Sequence, residues 1–493
     1  MERIWRYRVL ELKNKNLFRE SCYINGLWSE ASGKTLPVIN PYDQSLLGHV
    51  PDCSLSEVRY AIESANNAWK IWRNFSAKER VDYLWSLAEL IDKNKQDLAL
   101  IMTLEQGKPL TESLGEIDYA NGFIKWFAEE GRRIDGDIIQ SNKRHQHLVV
   151  IKQPIGVVGA ITPWNFPAAM ITRKIAPALA VGCTVVVKPD SETPFSALAL
   201  AALAHEAGFP AGVINIVTGD APMIGKEMTS NPLVRKMSFT GSTEVGKLLM
   251  GQCASSIKKI TLELGGNAPF IVFDDADLDQ AVRGAIASKF RNTGQTCVCA
   301  NRILVQNTIY EEFTKKFVEA VNQLKLGNGL EEGVQQGPLI HERALEKVKK
   351  HIEDAKEKGA NIICGGKQSN LGKLFFEPTV LTEANATMLL AQEETFGPVA
   401  PLFRFHTENE AIQMANDTEF GLASYFYSND MDRIWRVSEQ LEYGMVGVNT
   451  GILSTEVAPF GGVKQSGIGR EGSKYGVEPY LEVKYVCMQA KEV

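Results

Sequence analysis

The segment NTGQTCVCAN, Asn292–Asn301, sets two thiols one residue apart, Cys297 and Cys299. Three chemistries could use such a pair: a metal clip, a disulfide, or one reactive thiolate beside a bystander. A structural zinc takes about four ligands. No second Cys-x-Cys or Cys-x-x-Cys and no nearby His stands in this region, and the seven His are dispersed, so no metal is expected. A disulfide across one intervening residue is strained and labile, fit for a switch rather than a staple. A buried, inert thiol is the ordinary condition of a cysteine. Against that, Thr293, Gly294 and Thr296 give a turn-like setting that makes poor core.

Three further stretches carry candidate groups. In TLELGGNAP, Glu263 ends an apolar run and, on a strand, points away from Leu262 and Leu264. A carboxylate beside so much apolar surface has a raised pKa and can act as a general base; the plain alternative is an exposed carboxylate on a wet strand face. In PWNFP, Asn165 stands at a predicted strand-to-helix junction. Its amide could donate to a developing oxyanion or simply cap the helix. In FTGSTEVGKLL, Phe239–Leu249, a β-like run ends in Gly241 and a helical segment follows, a turn that suits a phosphate. Its spacing imitates a P-loop, but Leu248 stands where a P-loop needs Ser or Thr for Mg²⁺. A tight strand–helix turn without a ligand is the alternative.

These groups need elements to hold them. The chain has 493 residues, too many for one ordinary core, so two or three domains are expected. Apolar residues are 44%, charged residues 23% and the net charge is −6 with the signs interspersed. No basic stripe suggests nucleic acid. The N-terminal MERIWRYRVLELKNKNLFRE has no long apolar run, and no apolar stretch reaches a membrane span, so neither a secretory signal nor a membrane is expected. Apart from Cys297 and Cys299 the eight Cys are scattered, and a reducing cytoplasm is the simplest home.

From Ser54 to Leu104 apolar residues recur at helical spacing. Ser54 and Ser76 each have Glu three residues on, the capping-box spacing. From Val149 the texture changes to short β-branched runs separated by helical segments, the pattern of a parallel, doubly wound sheet. A second such run starts near Lys259. Two segments, DGDIIQSNKRHQHLVVIKQP and YLEVKYVCMQA, alternate instead and read as an assembly arm with open edges. A hairpin closing the chain's own sheet fits the pattern equally.

Taken together, these stretches resemble the aldehyde dehydrogenase superfamily. The resemblance spans almost the whole chain through PWNFP, VVVKP, FTGSTEVG, LELGG, GQTC, EETFGPV and PFGGVKQSG, in that order. ITRKIAPALA, TPFSALALA, KFRNTGQTCVCANR and GGVKQSGIGREGSKYG are most similar to the succinate-semialdehyde dehydrogenases. The resemblance implies an α/β fold with two doubly wound parallel-sheet domains and a small β oligomerisation arm. It implies an NAD(P)-binding domain over 1–130 and 151–262, a catalytic domain over 263–472, and an arm over 131–150 and 473–493. It further implies a homotetramer or homodimer.

The implied chemistry is oxidation of a semialdehyde through a thioester. Cys297 is the nucleophile, Asn165 and the Cys297 N–H hold the oxyanion, and Glu263 activates the hydrolytic water. For the cofactor the resemblance points to Trp164, Lys188, Ser191, Gly241, Ser242, Glu394 and Phe396. Relatives that prefer NAD tend to carry Glu at position 191; Ser191 beside Lys188 favours NADP, while Asp190 next door acts against a 2′-phosphate. For the substrate it points to Arg173, Arg291 and Ser454, with two guanidinium groups clamping a distal carboxylate; the alternative is that either Arg is an ordinary salt-bridge residue. Lys174 has no definite role. Succinate semialdehyde is the expected substrate and glutarate semialdehyde the alternative, since one methylene is worth only about 1–3 kcal/mol. In related semialdehyde dehydrogenases a pair like Cys297 and Cys299 closes into a reversible disulfide, which makes Cys299 a possible redox partner here.

Overall fold

The β-branched runs of the sequence become the strands of two large sheets. The structure is a computed structural model describing residues 12–29 and 33–491. Residues 1–11, most of the N-terminal stretch read above for a signal, lie outside them, as do the last two residues of the expected arm.

The first sheet runs, in space, Gly467–Ile468, Lys259–Glu263, Val234–Thr240, Val157–Ile161, Thr184–Lys188, Ile214–Ile216, Cys22–Ile24, Leu27–Ser29. The five strands from Lys259–Glu263 to Ile214–Ile216 are parallel, and the flanking ones are antiparallel. From Val157–Ile161 the chain winds first to one side and then to the other. The crevice at the carboxyl ends of the strands beside such a reversal is where α/β sheets bind ligands.

Both faces of this sheet are covered. Helices Ala169–Val181 and Pro194–Glu206 are apolar nearly all round and lie in the protein's largest core, beneath an outer layer that includes Ala77–Lys93 and Leu110–Glu130. Helix Leu55–Trp72 packs on the sheet itself, and it and the next helix, Ala77–Lys93, both start on the expected capping boxes, Ser54 with Glu57 and Ser76 with Glu79.

The second sheet runs Asn361–Cys364, Thr379–Thr382, Val399–Phe405, Ala300–Gln306, Ala268–Val272, Ala423–Tyr427, Met445–Val448; only its first strand is antiparallel. Ile271 and Leu304 enter one core while Phe270, Val272 and Ile303 enter another on the opposite face. A sheet buried on both faces explains why its strands read as unbroken apolar runs.

The link between the sheets is short. After Glu263, at a carboxyl end of the first sheet, LGGN leads straight to Ala268, at an amino end of the second. Ala268 pairs with Ala300, three residues past Cys297. The two predicted functional segments therefore meet where one sheet's carboxyl ends face the other's amino ends.

A third sheet pairs Leu481–Gln489 with Gln146–Pro154 and that strand with Asp137–Ile139. The two alternating segments of the sequence are thus partners within one chain. Ile138, Val483 and Tyr485 are exposed on this sheet.

Candidate active site

Cys297 follows a turn that few sequences allow. After helix Leu278–Lys289, Asn292, Thr293 and Gly294 all take left-handed backbone, with φ of 48°, 57° and 75°. A Cβ on Gly294 would collide with the carbonyl of Gly397. The turn-like setting was expected, but it is not poor core: Thr293 and Thr296 are buried. Buried polar side chains have to be paired, and here the pairing ties the turn down from several sides. The Asn292 amide donates to the Asn165 carbonyl at 3.0 Å and accepts from Gln106, while its backbone N–H donates to Glu112 at 2.8 Å. Ile340 N–H donates to Gln295, and the Tyr425 hydroxyl donates to the Val298 carbonyl.

Asn165 lies beside this turn. It is not a helix cap, since Ala168 takes that place without a side-chain bond. One of its amide hydrogens goes to the Gln295 carbonyl at 3.0 Å, which leaves the other for the cavity it lines. Its own carbonyl accepts from Lys108 Nζ at 2.6 Å, and Lys108 pairs with Glu116.

A cavity of about 350 Å³ opens at the sheet crevice. It brings together Cys297, Glu263 and Asn165 with Trp164, Gly241, Ser242, Glu394 and Phe396. The turn at Gly241 leads to Ser242, whose side chain caps helix Thr243–Ala254 by accepting from Val245 N–H. Leu248, the P-loop mismatch, is exposed on that helix. Phe396 holds a φ of 56° and meets the Trp164 ring edge-on, centroids 5.6 Å apart. Left-handed backbone at an aromatic residue is strained, and such strain gathers at functional sites.

Lys188 and Ser191 do not line this cavity. Lys188 ends its strand beside Ile161, and the turn after it is tied to the cavity wall where the Thr193 hydroxyl donates to the Trp164 carbonyl. Asp190 is half-buried and accepts from Glu192 N–H, two residues on, at 3.0 Å. His341, Arg343 and Lys347, at the start of helix Glu342–Glu357, line the cavity and were not foreseen, because no local motif marks them.

Burial dominates the electrostatics. Glu263 is 3% exposed rather than on a wet face, and neither of its oxygens has a protein partner among the described residues. Desolvation and the neighbouring Glu471 carboxylate hold its pKa well above the usual range. Desolvation, with the charge of Glu394, pushes the half-buried Cys297 thiol up to about 12. Burial lifts Glu394, which accepts from Gly266 N–H at 3.0 Å, to about 7.

Arg173, Arg291 and Ser454 lie on the other side of Cys297, around a narrow space of about 10 Å³ shared with Tyr119, Phe166 and Phe460. Arg173 is also a salt-bridge residue: its Nε lies 2.7 Å from Glu471, which takes Lys174 as well at 2.6 Å. Apart from that ion-pair contact of Nε, neither Nε nor Nη2 has a hydrogen-bond partner among the described residues. The two guanidinium groups stack on aromatic walls, Arg173 over Phe460 at 4.0 Å and Arg291 over Phe166 at 4.8 Å. Glu471 sits inside the REGSKYG motif, so a signal for it existed. Cys299 lines neither cavity; its sulfur faces the carbonyls of Lys289 and Arg291.

The larger cavity suits a dinucleotide. It offers orphaned buried polar atoms, the Glu263 carboxylate and the Thr240 hydroxyl, together with a helix N-terminus and basic side chains. Among the described residues no group of three or more His, Cys, Asp or Glu could hold a metal, and no helix is long and apolar enough to cross a membrane.

Comparison with known proteins agrees with this geometry. The aldehyde dehydrogenase family model matches residues 28–486. The chain is 61% identical over 480 residues to succinate-semialdehyde dehydrogenase [NADP(+)] GabD of Escherichia coli K12, covering 97% of this chain and all of that one. It is 61% identical over 482 residues to glutarate-semialdehyde dehydrogenase of Pseudomonas putida KT2440, covering 97% and 100%. A crystal structure of succinate-semialdehyde dehydrogenase from Burkholderia pseudomallei superposes with a TM-score of 0.97 at 58% identity, covering 97% of this chain and all of that one. A crevice built around one cysteine, matched over nearly its whole length by these relatives, leaves one conclusion: the chain belongs to the aldehyde dehydrogenase family.

Proposed function

We propose that this enzyme oxidises succinate semialdehyde to succinate, with NADP preferred over NAD. One observation carries the substrate: Cys297 joins a cofactor-sized cavity to a narrow one lined by two guanidinium groups and hydroxyls, with no carboxylate among its walls. An aldehyde with its carbonyl at the thiol and an anionic far end satisfies both sides. The narrowness favours a short chain. The relative named for glutarate semialdehyde keeps that longer substrate as the second reading.

Cys297 attacks the aldehyde carbon as its thiolate, giving a hemithioacetal. Because the thiol rests protonated, its proton must first leave to solvent; Glu263, the carboxylate of the cavity without a partner, is kept for the hydrolytic step. The free hydrogen of the Asn165 amide and the Cys297 backbone N–H hold the oxyanion. Trp164, Gly241, Ser242, Glu394 and Phe396 would hold the cofactor from the cavity walls, and Lys188 and Ser191, off that cavity, would meet its adenosine ribose. When bound, the nicotinamide supplies the hydride acceptor. Glu263 then takes a proton from water as it adds to the thioester, and the carboxylic acid leaves Cys297.

Ser191 and Lys188 favour a 2′-phosphate, and the Asp190 carboxylate beside Lys188 opposes it. The GabD relative carries NADP in its name. The exposed apolar residues of the third sheet support self-assembly into a dimer or tetramer through that arm. The scattered cysteines support a cytoplasmic enzyme, with residues 131–150 and 473–493 as the arm, 1–130 and 151–262 binding the cofactor, and 263–472 carrying the nucleophile. Steady-state rates with succinate, glutarate and neutral aldehydes, each with NAD and NADP, test the reading. Faster turnover of neutral aldehydes would refute the substrate, and equal use of both cofactors the preference.

A further inference from the structure

Tyr119 appears in no motif of the sequence and takes no part in the chemistry above. Its hydroxyl is nonetheless buried, has no hydrogen-bond partner among the described residues, and belongs to the wall of the narrow cavity beside Cys297. An unfilled buried hydroxyl is unfavourable, so its partner is expected to come from whatever enters that space. Arg173 Nη2 on this wall is likewise without a partner among the described residues and is also a donor, while its Nε is held only by the ion pair with Glu471. Two unfilled donors and no carboxylate describe a receptor for an anion, not for a cation or an alkyl chain.

The position of Tyr119 is not accidental. Helix Leu110–Glu130 carries Glu112, Glu116 and Tyr119 at spacings of four and three, hence on one face. Glu112 accepts from Asn292 N–H in the turn before the nucleophile. Glu116 accepts from Ala168 and Ala169 N–H, just after Asn165. One rigid face thus braces the thiol turn and the oxyanion segment, and presents the phenol in register with both. The ring is fixed edge-on to Phe123, centroids 4.9 Å apart.

We infer that the Tyr119 hydroxyl donates a hydrogen bond to the distal carboxylate of the substrate, as a third, uncharged donor beside Arg173 and Arg291. Tyr119 is then a specificity-determining residue. The inference rests on the carboxylate-substrate reading above. Its use is geometric: two guanidinium groups supply charge, while a single hydroxyl on a braced helix fixes where the carboxylate ends.

Tyr119→Phe removes the oxygen and keeps the ring. KM for succinate semialdehyde, and the dissociation constant of succinate measured by calorimetry without cofactor turnover, should each rise roughly tenfold, as loss of one hydrogen bond to a charged group implies. kcat/KM for butanal, which has no carboxylate, should stay within about twofold, and melting should be unchanged or higher. If succinate binding is unaltered, or if butanal suffers equally, Tyr119 has only a packing role and the inference fails. If the unsubstituted enzyme does not prefer the semialdehyde over butanal, the substrate reading fails first, and succinate calorimetry alone then decides whether Tyr119 faces an anion.

Discussion

Replacing Glu263 by Gln should make the protein less active and more stable at once. The side chain keeps its shape, but the charge disappears. Glu263 is buried, both oxygens lack partners, and Glu471 adds a like charge nearby. Its folded pKa is raised, so the native state holds this proton more tightly than the unfolded chain. That contribution is complete below the unfolded value and is lost as pH rises through the folded one. At alkaline pH the wild type carries a desolvated, unpartnered carboxylate, a penalty of about 1–3 kcal/mol. Unfolding entropy of about 2.1 cal/mol/K per residue over 493 residues comes to about 1 kcal/mol/K. The variant should therefore melt about 1–3 °C above wild type near pH 9, and the gap should close towards pH 4. Loss of a general base should lower kcat by about 10²–10⁴. Because Cys297 is intact, stopped-flow should still show one fast equivalent of reduced cofactor per active site before the slow phase. A variant that loses the burst, or turns over at the wild-type rate, would refute the assignment; a melting gap independent of pH would refute the electrostatics.

Alkylation of Cys297 by iodoacetamide should accelerate about tenfold per pH unit between pH 7 and 10, since the thiol is held near 12; a rate already flat at pH 8 would mean a resting thiolate. Ser191→Glu should lower kcat/KM for NADP at least tenfold and leave NAD turnover largely intact, because the new carboxylate stands where a 2′-phosphate is expected; equal losses with both cofactors would place position 191 away from the ribose. Peroxide inactivation should be reversed by dithiothreitol in wild type but not in Cys299→Ala. Closure of that pair requires the Cys299 sulfur to leave the carbonyls of Lys289 and Arg291, and unchanged reversibility in the variant would exclude it as the partner.

Much of this was legible beforehand because local rules act locally. Capping boxes, β-branched runs and the turn at Gly241 depend on neighbours within a few residues, and each formed where its signal stood. Cys297 stood out because its flanking residues made neither a metal site nor a plain strand. Where sequence reasoning left two readings open, the difference was burial, which no short window contains. For Glu263 the open choice lay between a general base and a wet-face carboxylate, and at 3% exposure the wet face is ruled out. For Asn165 it lay between an oxyanion donor and a cap, and Ala168 takes the cap position while the Gln295 carbonyl holds one amide hydrogen.

The sequence by itself determined the two α/β units, the order of the segments along them, and the residue types able to perform thioester chemistry. Only the tertiary structure decided how those groups are charged and who shares them. Glu471, 297 residues beyond Lys174, closes on both Lys174 and Arg173, so one of the two expected clamp residues is already paired. His341, Arg343 and Lys347 reach the larger cavity from a helix that carries no motif, and Tyr119 reaches the narrow one from another. Desolvation and long-range pairing depend on every element that packs around a group, which is why they appear only when the sheets, helices and loops are assembled.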